Sequence, residues 1–166
     1  MAGRTLLLMR HAKSAYPAGV TDHDRPLAPR GMREAGLAGE WLRSHAPQID
    51  AVLCSTATRT RETLAHAGLD APVTFSERLY DAVPGTVIDV INDVDENVGT
   101  LLVIGHEPAM GQVSLGLASA EDTNEKASQQ ISTKFPTSAI AVLRTGEPWH
   151  RLEPGSAALV GFHVPR

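Results

Sequence analysis

The chain has 166 residues, 42% of them hydrophobic, and a formal net charge of −4. One domain spanning residues 1–166 is the expectation at this length, long enough to bury a core without staples. The negative balance excludes a general nucleic-acid binder, which carries a positive excess, and the single cysteine, Cys54, excludes an internal disulfide framework and any CxxC metal or redox site.

Thr5–Met9 (TLLLM) is a continuous apolar run, the pattern of a strand buried on both faces. Arg10 follows at once, so the run is too short for the roughly 7–15-residue core of a signal peptide. No run approaches the roughly 18 residues of a membrane span, so neither a membrane partner nor a location outside the cytoplasm is expected. Gly31–His45 carries Ala35, Ala38, Trp41 and Leu42 at helical spacing. Ala51–Cys54 is a second apolar run, and Ser55 stands at the N-cap position of a helix over Thr58–Ala67. Val73–Phe75 reads as a short strand and Thr86–Val94 as a helix. Thr100–Ile104 (TLLVI) is the third strong strand, followed by a helix over Pro108–Leu117 with proline in its first turn. The polar stretch Ala120–Lys134 fits a helix with exposed faces or a loop equally well. Ala139–Arg144 and Ala157–Val164 read as late strands. Strands alternating with helices predict an α/β fold around a largely parallel sheet.

In open α/β sheets, ligands bind beyond the carboxyl ends of the strands. Arg10-His11 follows the first strong strand, Ser55 the second with Arg59 one helical turn on, and Gly105-His106 the third. Twelve of the fifteen basic residues are Arg, so a lone Arg says little and its position must speak. If these strands are parallel neighbours, two Arg and two His converge on one edge. Two fixed cations and two imidazoles suit a dianionic phosphoryl group.

The turn LLLMRHAKS resembles the histidine phosphatase superfamily, whose hallmark is a strand ending in Arg-His-Gly. Asp24-Arg25-Pro26-Leu27 with Gly31 is similar to the D-x-x-R-P-L…G segment of short members. Ser55-Thr56-Ala57-Thr58-Arg59 with Thr63 is similar to S-P-x-x-R-A-x-x-T, and Val103–Pro108 to V-x-G-H-x-P. The matches run in family order over most of the chain. The short length, Lys13-Ser14 and the R-P-L segment point to the SixA-like phosphohistidine phosphatases. Three positions depart from the pattern. Ala12 replaces Gly and would be strained at a positive φ. Thr56 replaces Pro, and Ala15-Tyr16-Pro17 lacks the polar residue that longer mutases carry there.

The resemblance implies a three-layer, phosphoglycerate mutase-like sandwich and a metal-independent phosphatase with no cofactor. His11 would attack phosphorus and form a phosphoenzyme. Arg10 and Arg59 would bind the equatorial oxygens with planar, permanently charged forks. His106 would be the second imidazole, protonated when phosphate is bound. Arg25 would line the mouth, with a salt bridge to Asp24 as the plain alternative. Lys13 is expected in solvent. Arg61, about 200° round the helix from Arg59, is expected on the surface.

The family's proton donor lies in an R-L-x-E type segment. Here that segment is Arg78-Leu79-Tyr80-Asp81, making Asp81 the possible donor and Glu77 a second candidate. Either is otherwise an ordinary exposed carboxylate. A phosphohistidine leaves as imidazole and needs an acid less than an ester does. No metal-ligand spacing, H-E-x-x-H, P-loop or G-x-G-x-x-G occurs. Cys54 has the wrong spacing to Arg59 and Arg61 for a Cys-x5-Arg phosphatase and is expected in the core. The substrate is expected to be a phosphorylated protein or a small phosphorylated metabolite. The leading expectation is a protein phosphohistidine phosphatase; the alternatives are a small-molecule phosphomonoesterase and a non-catalytic phosphate-recognition module.

Overall fold

The computed structural model describes residues 3–166. Strand β1 (Arg4–Arg10) is buried from Thr5 to Met9. Alternate side chains of a strand point to opposite faces, so an unbroken apolar run needs cover on both. That cover is present. Leu7 and Met9 pack against Ala38, Leu42 and Leu64, while Leu6 and Leu8 join a second cluster with Ile91, Met110 and Val113.

β2 (Ala51–Ser55), β3 (Val73–Ser76), β4 (Thr100–Gly105), β5 (Ile140–Thr145) and β6 (Ala158–His163) complete a six-stranded sheet of order β3-β2-β4-β1-β5-β6. β3, β2, β4 and β1 are parallel; β5 and β6 are antiparallel additions at one side. The fold is therefore α/β with a mixed, mostly parallel sheet. Helices α1 (Pro29–His45) and α2 (Thr58–Ala67) cover one face. α3 (Pro84–Asn92), α4 (Ala109–Leu117) and α5 (Glu125–Thr133) cover the other. Trp149 fills that second layer, fully buried, with its indole N–H donating to the Val98 carbonyl at 2.8 Å.

Several boundaries differ from the sequence expectation for clear reasons. α1 and α3 start two residues earlier, at Pro29 and Pro84, because proline is preset for the first helical turn and lacks only an N–H that has no partner there. Part of the undecided stretch is the helix α5, capped by the Asn124 side chain accepting from Ala127 N–H at 2.9 Å. Its buried residues are Ala127 and Ile131, one helical turn apart. Ser55 does not cap α2. It ends β2, and Ala57 holds the N-cap position without a side-chain bond.

Gly31 lets α1 approach the chain that follows β1. A Cβ there would stand 2.1 Å from the Lys13 carbonyl oxygen. Any side chain at this point would drive the helix away from the segment carrying Arg10 to Ser14. Among the described residues no helix is long and apolar enough to cross a membrane.

Candidate active site

β4 lies between β1 and β2 and is parallel to both, so three carboxyl ends stand side by side. The register sets Arg10 opposite Gly105. His11 and His106, the next residue on each chain, are thereby level. Their ring centroids are 5.3 Å apart with the planes tilted by 56°. α2 begins just beyond β2 and returns Arg59, buried, to the same edge.

His11 has a fixed tautomer. Its Nδ1 lies 2.7 Å from the Ala12 carbonyl oxygen. A carbonyl only accepts, so Nδ1 carries the hydrogen and Nε2 keeps its lone pair. Ala12 is buried and is not among the residues with positive φ, so replacing the family's glycine brings no backbone strain here. The Ala12 N–H donates to Thr63 Oγ1 at 2.9 Å, and that hydroxyl donates to the Arg59 carbonyl at 2.7 Å. Thr63 thus ties the histidine turn to the helix that carries Arg59.

The two guanidiniums are held differently. Arg10 donates from Nη1 to the Phe135 carbonyl at 2.9 Å. Arg59 donates from Nη1 to the Asp22 carbonyl at 2.7 Å and from Nη2 to Asp22 Oδ2 at 3.1 Å. Among the described residues, Arg10 Nε, Arg59 Nε and His106 Nδ1 are buried without a hydrogen-bond partner. Buried polar atoms without partners are unusual, and these three belong to residues that the sheet edge and the start of α2 bring together. A cleft of about 110 Å³ opens against Asp22, Arg59, Tyr80, Asp81 and His106.

Asp22 is the hub of the rim. Its carboxylate accepts from Arg59, from Arg25 Nε at 3.1 Å, and from the Tyr80 hydroxyl. The Tyr80 bond, with Arg59 and Arg25 adding, holds the Asp22 carboxyl well below the usual carboxylate range. The Tyr80 hydroxyl is correspondingly raised. Arg25 pairs with Asp22, not with the adjacent Asp24, because residues 22–24 form a 3-10 turn that presents Asp22 to it at i,i+3. Arg25 also donates to Ser14 Oγ at 2.6 Å and stacks 4.1 Å above the Tyr16 ring.

Burial among cations keeps both imidazoles neutral. His11 is lowered from 6.5 to about 3, first by burial and then by His106, Arg59 and Arg10. His106 is lowered to about 4, first by burial and then by Arg59, with Asp22 opposing. Unfolded, both rings titrate near 6.5. Above that pH neither state binds a proton. Below it the unfolded chain takes up protons that the fold refuses, so stability is lost as pH falls from 6.5 through about 4 and 3. Each unit of depression is worth about 1.4 kcal/mol. The melting temperature is therefore expected to fall by more than about ten degrees, at roughly 2–4 °C per kcal/mol for a chain of this size. His11→Gln, read by thermal melts over this range, is expected to flatten the fall; an equally steep curve would remove His11 as its cause.

The other predicted positions lie as follows. Asp81 lines the cleft, exposed, with a φ of 54° that Asp tolerates better than most residues. Glu77 and Lys13 are exposed. Arg61 faces out and stacks 4.1 Å from the Phe75 ring. Cys54 is buried, and burial pushes its thiol up to about 12, which leaves it inert. Thr56 accepts or donates at 3.0 Å to His23 Nε2. Among the described residues no group of three or more His, Cys, Asp or Glu is placed to hold a metal ion.

Sequence reasoning missed Asp22, Tyr80 and Glu107. Asp22 was signalled by the D-x-x-R spacing itself, since it stands three residues before Arg25. Tyr80 lies beside the expected donor, and its ring meets His106 edge-on at 5.5 Å. Glu107 borders the cleft and accepts from the Gly111 N–H; burial raises its carboxyl.

The histidine phosphatase superfamily (branch 1) model matches residues 6–133. The uncharacterized protein Rv1276c of Mycobacterium tuberculosis is 65% identical over 158 residues, spanning 95% of this chain and 100% of that one. The phosphohistidine phosphatase SixA of Escherichia coli (strain K12) is 30% identical over 149 residues, 86% of either chain. Among solved structures, one proposed as the phosphohistidine phosphatase SixA of Nakamurella multipartitia aligns with a TM-score of 0.91 at 37% identity, covering 99% of this chain and 98% of that one.

Proposed function

The chain belongs to the histidine phosphatase superfamily, branch 1, and from that premise we propose that it removes the phosphoryl group from phosphohistidine in a protein, with His11 as nucleophile and no metal. The observation that carries this reading is the His11 tautomer. Nδ1 is committed to the Ala12 carbonyl, so the lone pair on Nε2 is available at neutral pH. In the first step that lone pair forms a bond to phosphorus while the bond from phosphorus to the leaving nitrogen breaks; the leaving imidazole takes a proton from solvent water. Water then attacks the phosphohistidine on the enzyme, giving inorganic phosphate and free His11. Arg10, Arg59 and His106 bind the equatorial oxygens, where phosphoryl transfer concentrates its charge. Likeness to proteins named SixA supports the phosphohistidine assignment. The test is parallel turnover of a phosphohistidine protein and a panel of small phosphoesters, in chelator, by wild type and His11→Ala. Full turnover by the variant would end the reading.

A small-molecule phosphomonoesterase is the second reading, and the place of Asp81 on the cleft favours it. Esters leave as alkoxides and gain about 10²–10⁴-fold from a proton donor. Asp81→Ala is expected to leave phosphohistidine turnover within a few-fold of wild type. If it lowers both substrates by about 10²-fold or more, Asp81 serves the common chemistry instead. An acid-labile, alkali-stable label on the protein after brief mixing with substrate separates either enzyme from a module that only holds phosphate.

A further inference from the structure

Ser55 is fully buried at the end of β2, and its hydroxyl has two neighbours. The Ala57 N–H donates to Oγ at 3.3 Å, and His106 Nε2 lies 2.8 Å from it. The Ser55 carbonyl is held separately by Thr60 Oγ1 at 2.9 Å. A serine hydroxyl has one proton to give. Ala57 N–H is a donor and takes none, so His106 Nε2 is the acceptor in reach. The opposite assignment, with Nε2–H donating, strands the hydroxyl proton in the interior. It also leaves a bare Nδ1, which would repel an incoming oxygen.

We propose that Ser55 is a positioning residue whose hydroxyl donates to His106 Nε2 and fixes the neutral ring as the Nδ1–H tautomer, so that His106 offers a phosphoryl oxygen a hydrogen bond without being protonated. The proposal rests on reading the cleft as a phosphoryl site. It gives Nδ1, which has no partner among the described residues, a defined task. It also alters the pH behaviour of the site. An imidazole that binds only as a cation loses its donor as pH rises through its titration; one held as Nδ1–H keeps it. The groups facing His106 are Arg10 and His11 beyond β1, Arg59 on α2, Asp22 and His23 on the 3-10 turn, Tyr80 and Asp81 after β3, and the adjoining Glu107. Both arginines stay charged throughout the neutral range, and Asp22 stays ionised.

Nitrogen-15 NMR of histidine-labelled protein reads the two ring nitrogens directly. The expected spectrum of the free wild type at neutral pH has a protonated Nδ1 and an unprotonated Nε2 at His106. A protonated Nε2 overturns the proposal. Ser55→Ala is expected to move the ring toward Nε2–H and weaken inorganic phosphate binding about tenfold, an effect of the size one hydrogen bond to a charged group gives. The ratio of variant to wild-type phosphate affinity, in which the titration of phosphate itself cancels, is expected to fall as pH rises from about 4, where the His106 ring loses its proton. Ser55→Thr, which keeps the hydroxyl, is expected to restore the tautomer and to hold that ratio constant with pH. Ser55→Ala with wild-type ring shifts and phosphate affinity overturns the proposal. If neither variant folds, the wild-type spectrum decides. Ring shifts are read without turnover, so a wrong tautomer sinks this proposal alone, while a wild type that fails to turn over any phosphorylated substrate sinks the functional reading.

Discussion

His11→Ala is expected to turn over phosphohistidine protein at least about 10⁴-fold more slowly than wild type, the scale on which loss of a nucleophile is felt. Alanine removes the one lone pair directed by a committed neighbour, since the Ala12 carbonyl fixes Nδ1–H. The groups proposed to bind the phosphoryl oxygens remain, because Arg10, Arg59 and His106 are held by hydrogen bonds that do not involve the His11 ring. Phosphate affinity should therefore survive within about tenfold of wild type while the rate collapses. Equilibrium binding of inorganic phosphate beside single-turnover kinetics checks both halves. A variant that loses binding as steeply as rate would recast His11 as a ligand for the phosphoryl group. Stability should also fall less steeply between neutral and acid pH than in the wild type, because the ring that resists protonation in the fold is gone.

Arg59→Ala is expected to lower kcat/KM by about 10³-fold, within the range seen when a positioned donor or an arginine is removed from a developing phosphoryl charge. Arg59→Lys should recover little of it. A lysine ammonium is a point charge and cannot hold the Asp22 carbonyl and carboxylate with the two arms of a fork while leaving a further N–H free for a ligand. Losing Arg59 also removes a repulsion that keeps both imidazoles neutral, so His11 and His106 should each titrate at a higher pH than in the wild type. NMR titration of the two rings is the check. If Arg59→Lys works nearly as well as wild type, the forked geometry is not what the site uses.

Strong strands were legible because burial on both faces writes itself as an uninterrupted apolar run. β1, β2 and β4 are found within a residue of where TLLLM, AVLC and TLLVI place them. Strand direction is not written locally. β5 and β6 carry ordinary strand composition, and only their pairing makes them antiparallel. The same limit explains the site. Arg10, His11, Arg59 and His106 each follow a recognisable strand or open a helix, so convergence could be foreseen from chain order alone. Asp22 and Ser55 act through partners far along the chain: Asp22 meets Arg59 and Tyr80, 37 and 58 residues away, and Ser55 meets His106 at a separation of 51. A polar residue in a turn or at a strand end has a local use ready to hand, as a cap or a solvated side chain. Local sequence therefore points to Ser55 as a cap and sets Asp24, rather than Asp22, against Arg25.

The carboxylate of Asp22 already sits on Arg59 when a ligand arrives. Affinity at this guanidinium is therefore a difference between two anions. A chloride or an acetate offers Arg59 little that Asp22 does not supply at closer range and without losing its own freedom. A phosphoryl dianion brings a second charge and further oxygens for Arg10 and His106, and it can engage Nε while Asp22 keeps the outer edge of the fork. On the proposed reading the site would discriminate by charge number before it meets any leaving group, because a monoanion gives Arg59 little that Asp22 does not already supply.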